Sequence, residues 1–243
     1  MRNMKRALRL TLASVMLLGM MVVGSSALSF NDADDISNVT AATVLKELGV
    51  MQGDGSGNFM PDKAVTRAQM AILICRILYG DKLQVSQFAG VTQYTDVAAN
   101  AYYTGYINLA TSLGIINGCG DDRFGPDDTV TTAQAALMLS RALGYFQANE
   151  LDGQDWALAA VAQATKVDMF GGLKLNTNEL LACDNVAEMV FNTMTKAVPV
   201  HYSDRWDVYY TDTQSILTGV HFNYRNTLAY QNFDLVYNEN KTD

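Results

Sequence analysis

The stretch Gly49-Val-Met-Gln-Gly53 decides the fold, because it returns 65 residues later as Gly114-Ile-Ile-Asn-Gly118. The same offset relates Thr66-Arg-Ala-Gln69 to Thr131-Thr-Ala-Gln134. Internal repeats of this kind are typical of supersecondary units that stack on copies of themselves and bury a face together. The repeat therefore favours a module that binds or anchors over an enzyme core.

Each copy has the pattern of a helix, a loop and a second helix. Thr66-x-x-Gln69 predicts a capping box, in which the Thr hydroxyl and the Gln side chain satisfy free backbone donors where the second helix begins. Apolar residues then follow at helical spacing and predict one buried stripe. The stripe comprises Met70, Leu73, Ile74, Ile77 and Leu78 in the first copy, and Ala135, Met138, Leu139, Ala142 and Leu143 in the second.

A third, degenerate copy follows. Trp156, Val161 and Ala164 outline its first helix, and Met169-Phe-Gly-Gly172 aligns with Ile115-Ile-Asn-Gly118 at an offset of 54. The second helix aligns at an offset of 51, with a stripe of Val186, Met189, Val190, Thr193 and Met194. The cap motif has become Ala182-Cys-Asp-Asn185, which has no capping hydroxyl. Terminal repeats are often atypical in this way.

The N-terminus predicts export. Residues 1–27 combine Arg2, Lys5, Arg6 and Arg9 with an apolar stretch and the small residues Gly24-Ser-Ser-Ala27, as in a secretory signal peptide. An uncleaved membrane anchor is the alternative. Cleavage leaves about 215 residues, enough for one or two domains. It also lowers the formal charge from −8 to −12, which makes nucleic acid or an anionic membrane a poor partner.

Few other motifs in the sequence indicate a metal site, a disulfide or a catalytic site. Cys75, Cys119 and Cys183 show neither a disulfide framework nor a zinc spacing, so we predict free structural thiols. Asp54-x-Ser56-x-Asn58 resembles the start of a calcium loop, but Phe59 stands where that loop needs glycine and the closing glutamate is absent. We therefore predict no catalytic residues, no metal and no cofactor.

Residues 198–243 differ in composition from the repeats. Trp206-Asp-Val-Tyr-Tyr210, Gly219-Val-His-Phe-Asn-Tyr224 and Phe233-Asp-Leu-Val-Tyr237 have strand-like composition. We predict a short β-rich tail that either packs on the third copy or opens a further domain. The polar end of the chain leads us to expect a fragment of a longer protein.

Taken together, these motifs resemble the S-layer homology (SLH) family. The matching elements are Phe30-Asn-Asp32 and Tyr94-Thr-Asp96, the aromatic Tyr102-Tyr103, the Gly114–Gly118 loop and the Thr-Arg-Ala-Gln helix start. The resemblance implies an all-α fold of three SLH repeats in a pseudo-threefold bundle, over 28–80, 94–146 and a degenerate 152–197. It also implies a cell-wall or S-layer location and non-covalent binding to pyruvylated secondary cell-wall polysaccharide.

The resemblance also implies a set of carbohydrate-binding residues: Arg67, Thr66, Gln69, Gly53, Asp54, Asp32, Asp96, Tyr102, Gly118 and Thr132. Arg67 has an argument of its own, because a cation in the first turn of a helix is mildly unfavourable. Either it is a solvated surface residue, or it holds an anion such as a carboxylate together with the helix N-terminus. In SLH domains the matching arginine contacts the pyruvyl carboxylate.

The sequence departs from the family pattern at three of the positions where the family has binding residues. Thr132 and Cys183 stand at the positions equivalent to Arg67, and neither carries a charge. Tyr102 stands where the family has tryptophan, and we expect it to pack in the core more than to stack on a sugar. We expect Arg67→Ala to abolish most of the retention on cell walls without changing thermal stability. The alternative function is a structural surface-layer subunit that self-associates through its degenerate repeats.

Overall fold

The computed structural model describes residues 30–146, 150–203, 205, 208–211 and 223–235. Within these ranges the chain forms seven α-helices and one antiparallel strand pair, joined by loops and short 3-10 turns. The helices are α1 (Val39–Glu47), α2 (Arg67–Tyr79), α3 (Thr104–Ser112), α4 (Thr132–Ala142), α5 (Trp156–Lys166), α6 (Cys183–Lys196) and α7 (Leu228–Phe233). The strands are β1 (His201–Ser203) and β2 (Val208–Tyr210). The predicted signal peptide at 1–27 lies outside the described residues.

The predicted capping boxes open α2 and α4. Thr66 Oγ1 accepts from Gln69 N at 3.3 Å, and Gln69 Oε1 accepts from Thr66 N at 2.8 Å. Thr131 and Gln134 make the same two contacts at 3.4 and 2.9 Å. Ala182 precedes α6 without a side-chain cap. The local signals for where these helices begin are therefore confirmed.

The predicted apolar stripes face the interior. All their residues are buried in all three second helices, except Leu78, which is half-buried. They join Phe59 and Phe124 in one hydrophobic cluster that runs through the three helix pairs. The helix-rich architecture follows from burying these stripes together.

The three helix pairs are linked in a closed order. Each second helix packs against the first helix of the following pair: α2 against α3, α4 against α5, and α6 against α1. The last of these contacts brings the final pair back to the first. The repeats therefore do not form separate beads along the chain.

Backbone hydrogen bonds link the three units in the same closed order. Val65 N donates to Leu181 O, Leu181 N to Val130 O, and Val130 N to Val65 O, at 2.9 to 3.0 Å. The first two N–H groups of each second helix also donate to loop carbonyls of the following unit. These pairs are Arg67 to Asp128, Ala68 to Pro126, Thr132 to Glu179, Ala133 to Thr177, Cys183 to Lys63 and Asp184 to Pro61, at 2.9 to 3.1 Å.

The C-terminal segment differs in part from its predicted strands. Val208–Tyr210 is a strand as predicted, but Tyr224 lies in a 3-10 turn and Phe233 ends α7, so those two strand predictions are wrong where the segments are described. Thr227 caps α7 through Tyr230 N at 3.3 Å. Asn232 Nδ2 donates to the carbonyls of Ile77 and Leu78, both at 2.9 Å, at the end of α2.

These contacts explain the helix in the tail. Leu228 and Ala229 are buried, and α7 packs against both α2 and α6. Burial of an apolar face and capping of a neighbouring helix outweigh the weak strand propensity of the local composition.

No helix within the described ranges is long and apolar enough to cross a membrane.

Candidate functional site

Arg67 reaches from the start of α2 into the second unit. Its Nε donates to Phe124 O at 2.8 Å and its Nη2 to Asn117 O at 2.7 Å. The guanidinium carbon lies 4.8 Å from the centre of the Phe124 ring. Only 9% of the residue is exposed, so Arg67 is not the solvated surface residue that one interpretation expected.

The N-terminus of α2 has little left to offer a ligand. Arg67 N and Ala68 N donate to carbonyls of the second unit, and Gln69 N donates to Thr66 Oγ1. The prediction that free helix N–H groups hold an anion together with Arg67 is therefore wrong. An anion at this place cannot be bound by these three N–H groups without breaking their hydrogen bonds. A guanidinium has five N–H donors, and three of those on Arg67 have no partner among the described residues.

Arg67 lines a small cavity built from three units. Its volume is ≈ 160 Å³. The first unit contributes Arg67, the third contributes Trp156, and the second contributes Ile115, Ile116, Asn117, Gly118, Gln134, Leu137, Met138 and Arg141. None of the described residues that line it is an aspartate or a glutamate. Because guanidinium groups bind anions, the presence of Arg67 and Arg141 in its lining makes this cavity a candidate anion site.

The two equivalent positions differ from Arg67. Thr132 Oγ1 makes a long contact of 3.4 Å to Glu179 O, and the residue lines a larger cavity of ≈ 360 Å³ beside the third unit. Cys183 Sγ donates to Phe59 O at 3.5 Å, the counterpart of the Arg67 contact with Phe124 O. Burial raises the pKa of the Cys183 thiol to about 12. Neither position supplies a cation.

Asp32 and Asp96 hold the loops that follow the two glycine motifs. Asp96 accepts from Phe124 N and Gly125 N, both at 2.8 Å, and Asp32 accepts from Phe59 N and Met60 N at 2.8 and 2.7 Å. Burial acts to raise the pKa of each carboxyl, but these backbone hydrogen bonds outweigh it and the pKa is lowered. Both carboxylates therefore support the site from within the units.

The predicted loop residues Gly53, Asp54 and Gly118 also have structural roles within their own loops. A Cβ on Gly53 would lie 2.3 Å from Asn58 O, and one on Gly118 would lie 2.7 Å from Arg123 O. Asp54 accepts from Asn58 Nδ2 at 2.9 Å and from two backbone N–H groups of its own turn. These hydrogen bonds lower the pKa of Asp54. Of these three residues, Gly118 lines the Arg67 cavity.

Thr66, Gln69 and Tyr102 have different environments. The side chains of Thr66 and Gln69 form the capping box of α2. Tyr102 is 74% exposed and meets the ring of Tyr103 edge-on at 5.0 Å. The expectation that Tyr102 packs in the core is therefore wrong, because its neighbour turns toward the cluster instead.

Two residues of the Arg67 cavity were not predicted as site residues. Arg141 stands 65 residues after Arg76, and Trp156 stands 54 residues after Tyr102. Applying the repeat offsets to Arg76 and Tyr102 could therefore have found Arg141 and Trp156 from the sequence. What the offsets do not show is that one cavity collects residues from three successive units.

The cysteines and candidate metal ligands give no alternative site. Cys75, Cys119 and Cys183 are free thiols, as predicted. Burial raises the pKa of Cys75 to about 12, so its thiol is protonated at neutral pH. Over the described ranges, no group of three or more His, Cys, Asp or Glu side chains is arranged to hold a metal ion.

Comparison with known families identifies the repeat. Residues 29–71 and 93–136 match the S-layer homology domain. These segments contain α1 with the start of α2, and α3 with the first half of α4. Two segments of the chain are therefore S-layer homology domains, as their motifs predicted.

Several relatives carry names of surface proteins. A "Cell surface protein" of Thermoanaerobacter kivui is 29% identical over 86% of this chain and 27% of its own length. A "Surface layer protein" of Brevibacillus choshinensis is 36% identical over 58% of this chain and 13% of its own length. The chain thus spans about a quarter or less of the length of these two relatives. Such similarities identify it as a secreted cell-surface protein.

The relatives also include an enzyme by name. "Exoglucanase XynX" of Acetivibrio thermocellus is 26% identical over 60% of this chain and 14% of its own length. The proteins that share these segments therefore include some named for a surface location and one named as an enzyme. For this chain the similarity favours a non-enzymatic surface module.

Proposed function

We propose that this chain anchors an exported protein to the bacterial cell wall by binding a pyruvylated secondary cell-wall polysaccharide without a covalent bond. The observation that carries the proposal is the cavity lined by Arg67, Arg141 and Trp156. In this role the chain recognises a polymer and catalyses no reaction.

The chemistry of the cavity supports a carboxylate ligand. A pyruvyl ketal carries one carboxylate, and guanidinium groups bind carboxylates through strong charge-assisted hydrogen bonds. A volume of ≈ 160 Å³ is smaller than the about 300–1,000 Å³ of pockets that enclose a whole drug-sized ligand. The cavity therefore suits one charged substituent, while the remainder of the polymer lies along the surface.

We further propose three SLH units, over 28–80, 94–146 and 152–197, arranged about a pseudo-threefold axis. The cyclic order of helix contacts and the ring of hydrogen bonds among Val65, Val130 and Leu181 support this arrangement. It creates one groove after each second helix. Only the groove of Arg67 has a cation at that position, so one groove per chain carries most of the binding, and many chains on one wall add avidity.

A second candidate is a structural subunit of a surface layer. Two observations favour it: the loss of the arginine at Thr132 and Cys183, and the name of the Brevibacillus relative. In this role the degenerate repeats contact other copies of the chain. The exposed Leu158 and Leu180 on the third unit would then be covered in the assembly.

The test is binding of purified protein to wall polymer with and without its pyruvyl groups. Wild-type protein should prefer the pyruvylated polymer, and Arg67→Lys should lose most of that preference, because an ammonium lacks the planar fork of donors. Thr132→Ala is the matched control, since it alters the equivalent position without a charge. Both variants are compared well below their unfolding temperatures.

The two candidates give opposite results. Loss of one charge-assisted contact should weaken binding to the pyruvylated polymer by about 1.5–3 kcal/mol, roughly ten- to a hundredfold. Equal binding of wild type and Arg67→Lys, or no effect of removing pyruvate, would refute the anchor. Concentration-dependent assembly of the protein in the absence of polymer would then support the structural subunit.

A further inference from the structure

Asn117-Gly118 is the one Asn-Gly dipeptide in the sequence. Asparagine side chains are chemically labile. The lability is greatest before glycine, because a residue without a Cβ lets its backbone nitrogen approach the preceding side-chain amide. The aligned positions in the other two units are Gln52-Gly53 and Gly171-Gly172. A glutamine would have to close a larger ring, and a glycine has no side-chain amide, so the second unit alone has both reacting groups.

Both reacting groups are accessible. Asn117 and Gly118 are exposed, and among the described residues neither the Asn117 side chain nor Gly118 N has a hydrogen-bond partner. The fold also requires glycine at 118, since a Cβ there would lie 2.7 Å from Arg123 O and 2.8 Å from Cε1 of Tyr94. The structure therefore retains the residue that makes Asn117 reactive.

Arg67 contacts the peptide bond that joins these two residues. Its Nη2 donates to Asn117 O at 2.7 Å, and this oxygen belongs to the same amide as Gly118 N. A cation at the amide oxygen withdraws electron density and stabilises the anion that forms when the nitrogen loses its proton. Because loss of this proton makes Gly118 N a nucleophile, the contact favours reaction at Asn117 and places the product beside Arg67.

We propose that Asn117 is a site of spontaneous deamidation, and that its product switches off binding in the Arg67 cavity. Hydroxide removes the proton of Gly118 N, and the nitrogen attacks Asn117 Cγ. The bond from Cγ to the side-chain nitrogen breaks and ammonia leaves. Water then opens the cyclic imide and leaves aspartate or isoaspartate at position 117, with no oxidation or reduction in any step.

The product adds a carboxylate to the lining of the cavity, where Asn117 and Arg67 lie together. Guanidinium groups bind carboxylates strongly, and Arg67 has donors without a partner among the described residues. The new carboxylate therefore competes with a ligand carboxylate for Arg67 and repels it. Only this consequence rests on the proposed function, since the covalent step proceeds without any polymer.

The experiment incubates the full chain in mildly alkaline native buffer and locates the modified residues by peptide mass spectrometry, with an isoaspartate assay in parallel. Position 117 should be modified before any other asparagine, and Gln52 should keep its amide. Affinity for pyruvylated polymer should fall in proportion to the modified fraction. Asn117→Gln should keep its own initial affinity throughout the incubation.

Two matched variants test the effect of the new charge. Asn117→Asp should bind pyruvylated polymer more weakly than wild type by about tenfold or more. Gln52→Glu places the same charge at the equivalent position of the first unit, where Cys183 stands in place of Arg67. It should bind within about twofold of wild type, which is about 0.4 kcal/mol.

Each outcome decides part of the inference. If Asn117 is still intact after other asparagines have reacted, the deamidation site is refuted. Modification without loss of affinity, or equal losses in Asn117→Asp and Gln52→Glu, would overturn the switch. If Asn117→Asp does not fold, modified wild type purified by ion exchange replaces it, and unchanged affinity again overturns the switch. If removing pyruvate from the polymer does not affect fresh wild type, the proposed function fails, while the mass measurement still decides the covalent step.

Discussion

Removing the Arg67 side chain should destabilise the protein as well as weaken ligand binding. The sequence alone led us to expect no change in thermal stability, because an arginine at a helix start is usually exposed. In the structure this side chain links α2 to the loop of the second unit through Phe124 O and Asn117 O. Arg67→Ala breaks both contacts and uncovers the Phe124 ring.

The magnitude follows from these contacts. A hydrogen bond from a charged donor contributes about 1.5–3 kcal/mol. Two such bonds from one side chain are not additive, so we expect Arg67→Ala to lower the free energy of unfolding by about 2–4 kcal/mol. For a domain of this size each kcal/mol shifts Tm by about 2–4 °C. Tm should therefore fall by roughly 5–15 °C.

Thermal unfolding followed by circular dichroism, with urea unfolding as a second measure, tests this estimate. Thr132→Ala is the control, because its equivalent contact is a single neutral hydrogen bond of 3.4 Å and should be worth at most about 1 kcal/mol. If Arg67→Ala and Thr132→Ala unfold at the same temperature, the interpretation of Arg67 as a link between units is incorrect.

The other predictions concern the core, acid stability and the second groove. Leu73→Ala should lower the free energy of unfolding by about 2–5 kcal/mol, because it removes a buried side chain and leaves a cavity. Burial acts to raise the pKa values of Asp32 and Asp96, but backbone hydrogen bonds lower them in the folded state. Their stabilisation is therefore present above the unfolded pKa and is lost as the pH falls through the folded pKa. Unfolding free energy measured against pH should therefore fall less steeply in acid for Asp96→Asn than for wild type. Thr132→Arg should extend into the ≈ 360 Å³ cavity, where Leu175 and Gly171 align with the acceptors of Arg67, and should raise retention on wall polymer.

Each of these has a result that would contradict it. Unchanged urea unfolding of Leu73→Ala would mean that α2 buries another face. Parallel acid profiles for wild type and Asp96→Asn would show that this carboxylate contributes nothing to acid stability. Wild-type retention of a folded Thr132→Arg protein would show that an arginine alone does not restore that groove.

The local features of the fold could be predicted because they are encoded within a few residues of each other. A capping box needs only a Thr and a Gln three positions apart, and a buried stripe needs only apolar residues at helical spacing. Both were confirmed in α2 and α4, and the stripe also in α6. The strand prediction for the segment that begins at Phe233 was wrong because α7 depends on contacts that are distant in the sequence. Its residues Leu228 and Ala229 are buried where it packs against α2 and α6.

The sequence by itself determined the repeat, the helix starts, the buried faces and the family. Only the tertiary structure decided what Arg67 contacts and which residues share its cavity. Arg67, Arg141 and Trp156 are far apart in the chain, and they meet because each second helix packs on the following unit. Motif spacing repeats within a unit, whereas contacts between units depend on how three pairs close around a common core. That closure uses the first two N–H groups of each second helix in hydrogen bonds to the following unit.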